Sequence, residues 1–111
     1  MAVLDGELEE QHYATPAPRG AAPLVPGRCS RVARGEVAFI QDGIALHRIR
    51  PLNGARGMSL HLYSRPIDTC RVYDIATGDA SRVELGYHSV RGEPCRTSAA
   101  EVRATWAARA R

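Results

Sequence analysis

Ser59, His61 and Tyr63 occupy alternate positions in the run Ser59-Leu-His-Leu-Tyr-Ser-Arg-Pro-Ile-Asp-Thr-Cys70, and His47 lies a short distance upstream. In an extended strand, residues at i, i+2 and i+4 point to one face, so a hydroxyl, an imidazole and a phenol form a polar stripe backed by Leu60 and Leu62. Each group both donates and accepts a hydrogen bond. Such a row passes a proton or holds a reactive oxygen species in register, which is useful work beside a metal. An ordinary half-solvated strand shows the same alternation, so the stripe by itself leaves both readings open.

The elements that must position these groups read as short strands separated by turns. Residues 1–13 predict a hairpin turning at Asp5-Gly6, and the proline-rich stretch 14–27 predicts a loop. Strands are expected over 28–32, 36–40 and 44–49, the last placing Ala45, His47 and Ile49 on one face. A histidine between alanine and isoleucine there suits a core residue as well as a ligand. Asn53-Gly54 predicts a turn that returns residues 59–64 antiparallel to the strand of His47. Residues 70–75, a Thr77-Gly78 turn and residues 81–89 complete the strand series, with Val72, Val83 and Leu85 as expected core residues. Ser98 and Glu101 form a capping-box pattern ahead of a helix over 99–109, whose Val102 and Trp106 share a face, Trp106 packing on the outside of the sheet. The fold class is therefore all-β, a sandwich or jelly roll with a short C-terminal helix.

Composition narrows the function classes. A chain of 111 residues that is 44% hydrophobic supports one modest core. No apolar run is long enough to span a bilayer, and Asp5, Glu7, Glu9 and Glu10 stand where a leader peptide carries its apolar stretch, so a soluble cytoplasmic protein with no membrane partner is expected. The formal charge is +3, but the arginines are dispersed and aromatic residues make up 5% of the chain, which disfavours a nucleic-acid platform. Cys29, Cys70 and Cys95 are odd in number and form no CxxC pair, so reduced thiols are expected rather than a disulfide framework or zinc knuckle.

Ile44-Ala-Leu-His-Arg-Ile49, Ser59-Leu-His-Leu-Tyr-Ser64, Asp68-Thr-Cys70 and Tyr87-His-Ser89, in that order, resemble the C-terminal half of the cysteine dioxygenase family, within the cupin superfamily. The resemblance runs from about Val3 to about Gly92 and is most specific between Gly43 and Cys70. Gly35, Gly43 and His47 resemble a loosened second cupin motif, with Gln41 where that motif has proline. The resemblance implies a cupin-like jelly roll, a double-stranded β-helix that is N-terminally incomplete over residues 1–96, followed by the helix of 97–111. It also implies a mononuclear Fe(2+) held by three histidines, with L-cysteine oxidised to its sulfinic acid by O2. By similarity His47 matches the third iron ligand, Ser59, His61 and Tyr63 match a relay beside it, and Cys70 and Leu85 match positions near the substrate pocket.

The chain departs from the family pattern in three places. The other two ligands form a His-x-His pair in the family, and none occurs among His12, His47, His61 and His88. Arg65 stands where many members have the first proline of a Ser-Pro-Pro segment, which makes a trans bond the expectation there. Leu85 replaces a pocket methionine. Two readings follow. In one, the chain belongs to a thiol dioxygenase whose start lies upstream, with iron expected for the full-length protein and not for these residues alone. In the other, it is a non-catalytic cupin remnant serving as a binding or interaction module, and its unpaired sheet edge favours self-association.

Overall fold

The computed structural model describes residues 1–16, 22–41, 43–63, 67–94 and 97–109, without the side chains of residues 99, 106 and 109. Two compact units emerge, one of Met1–Leu62 with Asp74–Asp79 and the other of Tyr63–Tyr73 with Ala80–Arg111.

In the first unit, Gly6 decides the course of the chain. The strands on either side of it, β1 (Ala2–Asp5) and β2 (Glu7–Tyr13), do not form the expected hairpin. β1 pairs with β5 (Met58–Leu60), while β2 pairs with β3 (Pro26–Ala33) and β4 (Leu46–Pro51), all antiparallel. Gly6 has φ of +70°, and a Cβ placed there would lie 2.5 Å from the Arg56 carbonyl oxygen. Only glycine lets the chain leave one sheet for the next at this close approach. The Asp-Gly signal was thus a true turn signal, but the turn passes between sheets.

The central strand β2 alternates from Glu7 to His12, before its register with β3 shifts ahead of buried Tyr13. Leu8, Glu10 and His12 share one side, while Glu7, Glu9 and Gln11 take the other. On the first side Leu8 lies opposite Val32, and these two join Val3 in the buried core, with Met1, Ala38 and Ile49 packed against them. Full burial of one such aliphatic side chain stabilises by about 1.5–3 kcal/mol. On the other side Glu7 pairs with Arg31, and Glu9 accepts a 2.6 Å hydrogen bond from Arg50 Nε.

Residues 36–40 do not make the expected strand. Val3 N–H donates to the Glu36 carbonyl and Ala38 N–H to that of Met1, but only the bridge Ala2 to Val37 forms. Val37 and Phe39 stay 74% exposed. A second correction concerns β5, which ends at Leu60 and pairs with β1, so Met58–Leu60 form no ladder with the strand of His47. Between β4 and β5 the Asn53-Gly54 signal forms a 3-10 turn over Leu52–Gly54, with Asn53 at φ 54°. Asp42, Arg65 and Cys95 lie outside the described residues.

In the second unit, β6 (Thr69–Tyr73) and β7 (Ala80–Glu84) form the expected antiparallel pair. Val72 and Val83 are 48% and 39% exposed, so they are not core residues as expected, and Leu85 is half-buried. A pair of two-residue strands, β8 (Ser89–Val90) and β9 (Glu93–Pro94), turns through Arg91 and Gly92, both at positive φ as a tight hairpin requires. The helix α1 (Ala99–Arg109) begins where the capping box predicts. Ser98 Oγ accepts from Glu101 N–H, and the Glu101 carboxylate accepts from Ser98 N–H at 3.0 Å. Val102 is buried, and Arg103 pairs with Asp68; the side chain of Trp106 lies outside the described residues. Among the described residues no helix is long and apolar enough to cross a membrane.

Candidate functional site

Because β2 and β4 are neighbours, His12 and His47 face each other directly, and Glu10 sits one alternate position along β2, opposite Ile49 on one side and Ser30 on the other. This side of the sheet changes character along its length. Leu8, Val32 and Ile49 make its apolar end; Glu10, Ser30, His12 and His47 make a polar one.

Glu10 is the one buried charged residue among those described, its side chain only 6% exposed. Its Oε1 lies 2.8 Å from His47 Nδ1, a hydrogen bond. Its Oε2 lies 3.5 Å from His12 Nε2, too far for one, and that buried nitrogen has no hydrogen-bond partner among the described groups. The His47 ring remains 30% exposed. Glu10, His12, Arg28 and Ser30 also line an open cleft of about 520 Å³, whose lining includes Val32, Val37 and Phe39.

Ser59 and His61 meet as their spacing suggests, with Oγ and Nε2 sharing a 3.0 Å hydrogen bond, although His61 already lies beyond the end of β5. Partial burial of the His61 ring holds its pKa below the ordinary imidazole value, and the Met1 ammonium and His47 act in the same direction. His61 and His47 are therefore within electrostatic reach of each other although their strands do not pair. Tyr63 and Cys70 belong to the second unit, the former 61% exposed and the latter a half-buried free thiol; Leu85 is in that unit too. His88 is exposed there.

Sequence reasoning missed Glu10 and His12. A signal was present: Glu9 and Glu10 are consecutive in a strand, so one of them must share the side of Leu8. No group of three His, Cys, Asp or Glu side chains among the described residues is arranged to hold a metal ion. The His47 ring uses Nδ1 toward Glu10, and Nε2 takes no part in that bond.

Among the described residues the chain is mostly short antiparallel strands with one α-helix at the C-terminal end, an all-β composition consistent with a jelly-roll fold. Residues 1–76 match the family model described as cysteine dioxygenase type I. The chain is 35% identical over 94 residues to cysteine dioxygenase type 1 of Homo sapiens, covering 83% of this chain and 46% of the human protein. The protein of that name from Danio rerio is 31% identical over 94 residues, with 84% of this chain and 47% of the relative covered. The chain belongs to the cysteine dioxygenase type I family, a cupin family. It spans about half the length of the curated relatives it matches.

Proposed function

We propose that this chain is the part of a non-haem iron thiol dioxygenase that carries one iron ligand and the polar relay, acting in the cytoplasm on L-cysteine. The observation that carries this reading is the family match, which spans His47, Ser59, His61, Tyr63 and Cys70. The reaction consumes one thiol and one O2 and yields one sulfinic acid; both oxygen atoms end on sulfur. Iron(II), when bound, supplies the redox chemistry that joins O2 to the thiolate.

The roles of the chain's own groups follow from their chemistry. His47 contributes a neutral imidazole, which leaves a metal able to accept an anionic thiolate. Ser59 holds His61 through the 3.0 Å hydrogen bond, and the lowered pKa of His61 favours the neutral ring, which can pass a proton in either direction. By similarity alone, Tyr63 is assigned the phenol of the relay, and Cys70 and Leu85 positions near the substrate pocket. The chain contains no His-x-His pair, so among its own histidines this reading assigns one iron ligand, His47.

Intact mass and iron content of the protein purified from its own organism test this reading. The expected result is a mass well above 12.1 kDa with close to one iron per chain. A mass of 12.1 kDa without iron overturns it in favour of a non-catalytic binding module, a reading to which the exposed Val37, Phe39 and Leu62 lend support. Turnover of L-cysteine against 3-mercaptopropionate then settles which small thiol is preferred.

A further inference from the structure

We infer that Glu10 is the positioning residue of His47, fixing its ring through Nδ1 so that Nε2 carries the free lone pair. The inference rests on the proposed iron-ligand role of His47 and adds the group that prepares it. A carboxylate taken out of water costs several kcal/mol unless it is paired and hydrogen-bonded, and Glu10 is 4% exposed. An apolar side chain at this register, between Leu8 and the bottom of the cleft, would simply extend the core. The short bond to His47 Nδ1, 2.8 Å, is what the buried carboxylate does instead.

The chemistry of that bond sets the tautomer. An ionised carboxylate only accepts, so the shared proton belongs to Nδ1 and the neutral ring must leave Nε2 unprotonated. The same arrangement, a carboxylate behind an imidazole, raises the basicity of a coordinating nitrogen and holds the ring plane. The backbone cooperates: β2 and β4 are paired in register from Leu8 to Tyr13, which holds the carboxylate and the ring one alternate position apart on the same side of the sheet. His12, on the other carboxylate oxygen at 3.5 Å, makes no hydrogen bond to it and is a neighbour rather than a partner in this task.

The test is the tautomer of His47 in the 15N-labelled protein at its native length, stripped of metal, read from long-range 1H–15N correlations and assigned by the loss of one ring in His47→Gln. At a pH where the ring is neutral, the Nδ1–H form is expected to outnumber the Nε2–H form by about tenfold or more, the bias a charge-assisted hydrogen bond sustains. Glu10→Gln, whose neutral amide can either accept from Nδ1–H or donate to an unprotonated Nδ1, should reduce the bias, Glu10→Ala should lose it, and His12→Leu should leave it unchanged. A His47 ring protonated on Nε2 in the unsubstituted chain overturns the inference, as does an undiminished bias in a folded Glu10→Ala variant. If Glu10→Ala does not fold, the tautomer in the unsubstituted protein and its reduced bias in Glu10→Gln decide. Failure here is distinct from failure of the dioxygenase reading: the latter shows as iron-free native protein whatever the tautomer, the former as the wrong tautomer whatever the iron content.

Discussion

His47 and Tyr63 are both tied to the proposed chemistry, yet their substitutions should separate. His47→Ala removes a ligand and should strip the iron from the native protein, measured as metal per chain. Tyr63→Phe removes only a hydroxyl and should lower thiol oxidation by about 10–100-fold, the range typical of groups behind the metal shell, with iron content near normal. Unchanged iron in the His47 variant would defeat the ligand assignment. At the other end of the chain, Glu101 is held below the usual carboxylate range by its hydrogen bonds with Ser98, first the side-chain hydroxyl and then the backbone N–H. A depressed carboxyl contributes stability that is present above its unfolded value and is lost as pH falls through its folded one. The helical signal of residues 99–109 should therefore weaken on acidification at and below the ordinary carboxylate range. Ser98→Ala should cost about 1 kcal/mol of helix stability and blunt that pH dependence; circular dichroism reads both.

The strands show how local signals are read differently by their neighbours. Asp5-Gly6 carries the residues of a hairpin turn, but Leu8 and Val3 are both drawn into one core from two different sheets, and Gly6 serves as the corner between them. Its positive φ and the 2.5 Å approach of the Arg56 carbonyl predict that Gly6→Ala destabilises by about 1–3 kcal/mol, measured as a shift in urea midpoint at constant slope. The β6–β7 turn, by contrast, is as legible in the structure as in the sequence. Asp74 accepts from the N–H groups of Ala76 and Thr77, both at 2.8 Å, and Gly78 takes a positive φ of 72°. Those bonds close within five residues, so nothing distant was needed to predict them.

Taken as a whole, the chain leaves much apolar surface in water: Leu62 is 91% exposed, Val37 and Phe39 74%, and Leu60 61%. Among the described residues β5 has β1 as its only ladder partner, so its far edge presents unpaired backbone groups beside Met58 and Leu60. An apolar edge of this kind is a template for another strand. The 111-residue chain in isolation is expected to self-associate with rising concentration, seen as a concentration-dependent sedimentation coefficient, and Leu62→Lys should reduce it. A monomer at all accessible concentrations would count against the edge as an interface.

What the sequence by itself determined is whatever short range settles. The C-terminal helix and its Ser98–Glu101 cap, the β6–β7 hairpin, the strand around His47 and the Ser59–His61 contact all involve groups a few residues apart, whose geometry is set by backbone period and local hydrogen bonding. The ordered words around His47, Ser59 and Cys70 also carried the family. What only the tertiary structure decided is pairing between distant strands. That β5 joins β1 rather than β4, that residues 36–40 make a single bridge rather than a ladder, and that Val72 and Val83 remain exposed all depend on which sheet each strand enters. Strand alternation records only which residues share a side, never the neighbour on that side. For the same reason Glu10 escaped notice: its burial was implied by its parity with Leu8, but its meeting with His47, 37 positions away, exists only because β2 and β4 lie side by side.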